Sequence, residues 1–518
     1  MCRHKIFVLV ICIGVLTCWT VGTMAEMIVD TAWVRRYDGP AHDYDYGYFL
    51  AVDGSSGSVY VTGHSYDSQT LEDFATVKYD ASGNEIWVRR YNGPGNDYDF
   101  AHAITVDVSG NAYVVGKSWG DGTGYDYATI KYYPNGDTAW VRRYNGPGNT
   151  GDAAHDVAAD ASGNVYVTGA SCGIGTGDDI TTIKYYPDGD TAWVRTYHND
   201  AESPLATAVD SAGNVYVTGY TWPSTGTDSD YATIKYYPNG DTAWVRTYDG
   251  TGEGHHDDAC AVAVDGSGNV YVTGFSWGMG TDQDCATVKY DSSGNQIWVQ
   301  RYNGPGNGSD NAYAIGIDGS DNIYITGPSL GSGTYQDYAT VKYDSSGNEI
   351  WVRRYNGPEN GYDYAHSIAV DGSGSVYVTG VSYGGLTYWD CATVKYDSSG
   401  SEIWSKRYNG PDNDYDYAYR IGLDGSGNVY IAGGSYSNQT FWDFVTIRYF
   451  QVLRGDANGD GSIDGSDVVY LINYLFRSGD VPDPLEAGDA NADGVIGPGD
   501  VVYLINYLFR NGPPPCEP

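Results

Sequence analysis

Two periodicities run through the chain, one nested inside the other. The shorter is that of a β-strand, first seen in Thr31-Ala32-Trp33-Val34-Arg35-Arg36-Tyr37, which is β-branched and aromatic with no Gly or Pro inside. Near-copies centre on Trp87, Trp140, Trp193, Trp244, Trp298, Trp351 and Trp404, at steps of 54, 53, 53, 51, 54, 53 and 53 residues. A fixed spacing near fifty marks a repeat architecture. Within the unit from about residue 101 to 144 the pattern predicts four short strands. Strand a covers residues 103–107, strand b 112–116, strand c 126–132 and strand d 138–144, with a variable segment at 117–125. The tight turns at 108–111 and 134–137 contain Gly and Asn, which supply the positive φ that hairpins need.

Four antiparallel strands per unit describe a propeller blade. Strand b ends in Gly63, Gly116, Gly169, Gly219, Gly274, Gly327, Gly380 and Gly433, which counts eight blades. Strand c opens at eight aspartates, from Asp73 to Asp443, but strand d follows within a unit only seven times. The orphan strand at Trp33 supplies the missing one, and closing the ring removes the open edges that invite association. The reading is therefore an all-β, eight-bladed β-propeller over residues 26–450, closed by the N-terminal strand. Seven blades plus a frayed unit, or two smaller arrays, are the alternatives.

The a–b and c–d turns share one end of each blade and are stereotyped, while the b–c and d–a connections share the other end and vary. Function on rigid scaffolds usually sits on variable loops. There the b–c segments carry Tyr66, Trp119, Trp222, Trp277, Tyr383 and Tyr436 at matching positions, broken by Cys172 and Leu330. Such rings either stack on sugars or cover the blade ends. Alternating carboxylates at Asp43/Asp45, Asp97/Asp99, Asp363 and Asp414/Asp416 either hold calcium or form solvated acidic loops. His102, His155 and His366 share one slot with Tyr, Leu and Cys, which favours packing over a metal ring. The once-per-blade aspartates of strand c and of the a–b turns, such as Asp53 and Asp265, read as acceptors of backbone N–H groups.

After Tyr449 the period changes. Asp456, Asn458, Asp460, Gly461, Ser462, Asp464 and Asp467 fit positions 1, 3, 5, 6, 7, 9 and 12 of a calcium loop, and an apolar helix follows at 468–476. The unit returns 33 residues later as Asp489, Asn491, Asp493, Gly494, Val495 and Asp500, again opening a helix. Residues 451–513 are thus predicted to be a small α-helical domain with two EF-hand-like loops, followed by a tail at 514–518. Its carboxylates repel one another without calcium, so metal binding and folding should be coupled.

Charge sharpens the picture. With 28 Lys plus Arg against 66 Asp plus Glu, the formal net charge is −38. That argues against nucleic acid or an anionic lipid surface as partner. Residues 1–25 read as a secretory signal: a basic start at Arg3-His4-Lys5, an apolar run at 6–16, and small residues before the cleavage point. A lipobox at Cys18 is the competing reading, with Thr17 in place of the expected Gly, Ala or Ser. No further segment is apolar enough to span a membrane. The five remaining cysteines, Cys172, Cys260, Cys285, Cys391 and Cys516, form no disulfide framework or CxxC site.

Ala-Val-Asp-Gly-Ser-Gly-Asn-Val-Tyr-Val-Thr-Gly at 263–274 and Tyr-Asp-Ser-Ser-Gly-Asn-Glu-Ile-Trp at 343–351 resemble the SBBP β-propeller repeats of secreted bacterial proteins. That resemblance implies a fold and little about activity. The tandem loops resemble a type I dockerin, whose position-12 ligand is also Asp. This implies calcium as cofactor and a cohesin-like domain or other cell-surface protein as partner. The slots that carry specificity in that family are Gly465-Ser466 and Pro498-Gly499 here, and Gly497 at position 9 leaves a ligand to water. The reading is a secreted, non-catalytic adaptor whose propeller binds a polysaccharide or a protein, or serves as a spacer. The alternative is an extracellular carbohydrate-active lyase or hydrolase, or a quinone-type dehydrogenase, with its site on the variable face. The turn sequence at 343–351 is also similar to the repeats of eight-bladed pyrroloquinoline-quinone dehydrogenases, but their vicinal Cys pair has no counterpart. His255-His256-Asp257-Asp258 is the most irregular candidate for chemistry confined to one blade.

Overall fold

The computed structural model describes residues 27–175, 177–198, 201–222, 228–250, 255–459, 462–482, 484–510 and 512–515. The predicted signal segment, Asp460 and Gly461 of the first loop, and Cys516 lie outside these. Residues 30–450 form one compact unit, and the residues from 451 onward belong to a second.

The repeats fold into eight four-stranded antiparallel sheets. In blade 2 the strands are Asp99–Val106, Ala112–Gly120, Gly124–Tyr132 and Thr138–Tyr144. Blade 8 consists of Asp416–Leu423, Val429–Ser437 and Phe441–Leu453, and its fourth strand is Met27–Tyr37, paired beside Phe441–Leu453. The N-terminal strand thus closes the ring. The a strands of neighbouring blades lie against one another around a central channel.

One boundary differs from the expectation. Strand b runs past its glycine to Gly120 and strand c begins at Gly124, so nearly all of the variable segment is ladder. Gly116 does not end the strand but faces a β-bulge between Ala101 and Ala103, with His102 as the extra residue. A Cβ on Gly116 would lie 2.0 Å from the Phe100 carbonyl oxygen, so the bulge requires glycine.

Neighbouring blades are latched by strand d. The indole Nε1 of Trp87 donates to Pro134 O of the next blade's c–d turn at 3.1 Å, as Trp140 does to Pro187 O at 3.1 Å. Arg89 Nε donates to Gly136 O of that turn at 2.6 Å, and Lys78 Nζ to Pro134 O at 3.0 Å. Gly136 has φ +88°, and a Cβ there would strike the Trp87 ring at 2.7 Å. The seam repeats this arrangement: Trp33 Nε1 donates to Ala81 O of blade 1 at 3.0 Å and Arg35 Nε to Gly83 O at 2.6 Å.

A second arginine ties strands b, c and d within a blade. Arg36, Arg90, Arg143, Arg301, Arg354 and Arg407 reach Asp443, Asp73, Asp126, Asp284, Asp337 and Asp390 at 2.7–3.0 Å. Each also engages strand b, as Arg143 Nη2 does by donating to Ser118 O at 2.9 Å. The strand-c aspartates therefore take side-chain donors, not the backbone N–H groups expected of them, because strand d places a guanidinium in reach. The a–b turn aspartates do accept backbone N–H groups: Asp265 takes those of Ser267 and Asn269, each at 2.9 Å. In blades 3 and 4 Thr196 and Thr247 hold the arginine's register. His198 substitutes in blade 3, with Nδ1 2.7 Å from Asp179 Oδ1. In blade 4 Asp230 instead gathers with Asp249 and Asp257, one oxygen from each within 4.8 Å of the others. Burial, then the fields of Asp249, Asp257 and Asp228, push Asp230 up to about 6.

In the second unit, helix α1 (Gly465–Arg477), the short α2 (Leu485–Gly488) and α3 (Pro498–Arg510) pack on a small core of Ala457, Val468, Leu471, Ala490 and Leu504. Asp464 caps α1, accepting from Ser466 N, while Asp467 reaches back to the Asp464 N–H. None of the described helices is long and apolar enough to cross a membrane.

Two outcomes follow from the latch and the bridge. Trp33→Ala at the seam and Trp193→Ala at an internal interface should each cost about 3–5 kcal/mol in urea unfolding. A neutral Trp33→Ala would mean the seam bears no load. For blade 4, the folded state holds the Asp230 proton more tightly than the unfolded chain, so its contribution falls as pH rises from about 4 through 6. Thr247→Arg should remove this loss, raising the melting temperature relative to wild type at pH above 7 but much less at pH near 4. An equal shift at both pH values would contradict the carboxylate crowding.

Candidate functional site

The six predicted aromatics all lie at the b–c end of their blades, on the last turns of strand b. Ring contacts tie most of them locally. Trp119 meets Tyr125 at 4.8 Å between centroids, Tyr383 meets Trp389 at 5.9 Å, and Tyr436 meets Trp442 at 5.8 Å. Trp222 packs on His256 and Trp277 on His255, each at 4.7 Å. Tyr66 N donates to Tyr44 O at 3.0 Å. Among the described residues no ring contact joins one of the six to another, so they form separate stations and not one platform. Trp222, 38% exposed, borders a marked concavity.

That concavity, about 400 Å3, spans blades 2 to 4 and is lined by Lys117, Tyr125, Asp152, His155, Asp178 and Trp222 among others. Lys117 Nζ sits 4.7 Å from the Tyr125 ring centre and 4.9 Å from that of Phe100. Its blade-specific charge was not singled out from the sequence. The signal was available: lysine falls at a strand-b slot held by His64, Ala170, Tyr220 and Phe275 in other blades.

Most other candidates serve the scaffold. Asp99 accepts from Gly93 N at 2.5 Å and from Trp119 N at 3.0 Å, which fixes the d–a connection to strand b. Asp45, Asp363 and Asp416 make the same bond to Gly39, Gly357 and Gly410. His102, His155 and His366 are the bulge residues. Each donates through Nδ1 to a carbonyl of the next inner strand, Ala154, Pro204 or Ala418, at 2.8–2.9 Å. Burial lowers the basicity of all three, His102 to about 4, so they are neutral wedges near pH 7. The His255-His256-Asp257-Asp258 cluster also joins blades: His256 Nδ1 lies 3.2 Å from Ser229 Oγ, which donates to Asp258 at 2.6 Å. In the slot after the bulge, alanine occupies four blades, but blade 3 has Asp156 and blade 8 has Arg420. Both line the central channel.

The two C-terminal loops hold their last aspartate in the same way. Asp467 accepts from Asn458 N at 3.1 Å and Asp464 N at 2.8 Å, and Asp500 accepts from Asn491 N at 3.1 Å and Gly497 N at 2.7 Å. Both carboxylates are fully buried. Asp456 is buried at the start of the first loop; Ser462 and Asp464 are exposed. Asp489 accepts from Asp493 N and Gly494 N at 3.1 and 2.9 Å, while Asp493 accepts from Val495 N at 3.0 Å. Burial, with the fields of Asp489 and Asp493, pushes Asp500 above the usual carboxylate range.

Comparison with known proteins agrees with this division. Residues 86–122, 208–223 and 350–386 match the beta-propeller repeat family, and residues 454–509 match the dockerin type I domain family. No curated protein matches the chain. Among solved structures, a eukaryotic initiation factor aligns at 10% identity over 71% of this chain and 78% of that one, with a TM-score of 0.40. A protein of unknown function from Bacteroides caccae aligns at 11% identity over 54% of this chain and 94% of its own, TM-score 0.30. A calcium-binding protein, regucalcin, from Agrobacterium tumefaciens aligns at 13% identity over 54% and 81%, TM-score 0.29. The chain is an eight-bladed β-propeller, three stretches of which match the beta-propeller repeat family, with a separate C-terminal domain that matches the dockerin type I family.

Proposed function

We propose that the chain is a secreted adaptor: a signal at residues 1–25, a ligand-presenting propeller at 26–450, and a calcium-dependent docking domain at 451–513 ahead of a short tail. The observation that supports the reading is the pair of segments with Asp and Asn at calcium-loop spacing, each ending in a buried aspartate at a helix start. Asp456, Asn458, Asp460, the Ser462 carbonyl, Asp464 and Asp467 would hold one calcium ion. Asp489, Asn491, Asp493, the Val495 carbonyl and Asp500 would hold the second, with water opposite Gly497. The donor set is carboxylate, amide and carbonyl oxygen, the chemistry calcium selects. Bound calcium would offset the mutual repulsion of these carboxylates.

Docking to a cohesin-like partner is supported by what the helices leave outside. Val469 and Phe476 on α1 are 56% and 64% exposed, and their counterparts Val502 and Phe509 on α3 are 57% and 70% exposed. An apolar face repeated on both helices suits a protein partner. On the propeller, Trp222 beside Lys117 and Asp178 combines a stacking surface with polar groups, which suits a polysaccharide chain.

Limited proteolysis of the full chain tests the calcium claim. Chelator should speed tryptic cleavage after Arg477 at least about tenfold while the propeller resists, since metal binding and folding are coupled; Asp500→Asn should show the same sensitivity at higher free calcium. Cleavage unaffected by chelator would contradict it. For the propeller, a glycan array of the calcium-loaded protein should give signals that Trp222→Ala abolishes. Signals that survive that change would place the ligand elsewhere.

A further inference from the structure

The channel carries two charges that the repeat does not require. Alanine or a small residue serves the slot after the bulge in most blades, yet Asp156 and Arg420 occupy it across the channel from one another. A carboxylate and a guanidinium placed on an inner wall are costly to desolvate unless each finds a partner. The protein satisfies each only in part. Asp156 Oδ2 accepts from Thr207 N at 2.6 Å, and the Val157 N–H also donates to this carboxylate. Arg420 Nη1 donates to Tyr419 O at 3.0 Å, and its guanidinium lies 5.0 Å from the Phe49 ring centre. Each lies in the other's field but the two form no salt bridge, and both line a cavity of about 310 Å3. Ile104, Val262, Ile315 and Ile368 line the same cavity.

We infer that this channel binds a free α-amino acid, its carboxylate on Arg420 and its ammonium on Asp156. Opposite charges on opposite walls call for a ligand with both signs and no net charge. A neutral sugar brings hydroxyls but no charge to either wall, a simple anion or amine matches only one, and a peptide terminus brings only one sign. The guanidinium offers paired donors that match a carboxylate. The cavity volume is in the range of small-ligand sites, and Ile104, Val262, Ile315 and Ile368 offer apolar surface beside the two charges.

Isothermal titration calorimetry of the calcium-loaded full chain tests this with L-valine, L-leucine, isovalerate and isobutylamine. Valine or leucine should bind with one site per chain, and the single-charge analogues at least about tenfold more weakly. Arg420→Met and Asp156→Asn should each weaken amino-acid binding at least about tenfold, with melting curves recorded alongside. Asp156→Asn is nearly isosteric and carries the test if Arg420→Met fails to fold. No heat with any amino acid, equal affinity for isovalerate, or affinity unchanged in Asp156→Asn would overturn the assignment.

Discussion

The indole of strand d, reaching from one blade to the c–d turn of the next, is the contact on which the ring depends. It is a buried donor that must find an acceptor, and the neighbouring turn offers a carbonyl that no strand uses. Because the turn must accommodate an indole at contact distance, its central residue is glycine, as at Gly136. The arginine two residues on adds a charged donor to the same turn, and the strand-c lysine a third bond. A ring built of repeated latches has one place where covalent continuity is missing. There Trp33, Arg35 and Arg36, contributed by the other end of the chain, make the same bonds. The seam is therefore chemically equivalent to the internal interfaces.

Acidity has a structural explanation before it needs a functional one. Of the aspartates that recur once per blade, one set orders the a–b turns, one fixes the d–a connection, and one anchors the strand-d arginine. Each accepts donors that would otherwise be buried without partners. What stands out against this background is departure from it: Thr247 where an arginine belongs, Lys117 on a strand-b slot, and the two opposed charges of the channel.

The blade count, the circular closure and the helical C-terminal domain were legible because they rest on period and on residue type. The tryptophan spacing marks the repeat, and an unpaired first copy implies a partner strand. Strand limits were less legible. Gly116 was read as a strand end because glycine usually interrupts a ladder, whereas here it answers a bulge whose extra residue, His102, has no fixed residue type among the blades. The role of the strand-c aspartates was misjudged for a related reason: an Arg–Asp bridge across strands leaves no mark in local spacing. Asp156 and Arg420 are found by asking which charge falls in a slot that is alanine in half the blades, but only once the bulge sets the register of that slot.

Amide hydrogen exchange of the last blade addresses the closure most directly. If Met27–Tyr37 completes it, the amides of Phe441–Leu453 that face the first strand should exchange as slowly as those of Tyr388–Tyr396, which is flanked on both sides in blade 7. Fast exchange along that edge, at the rate of an unpaired strand, would mean that the ring is open and that the account of the seam is wrong.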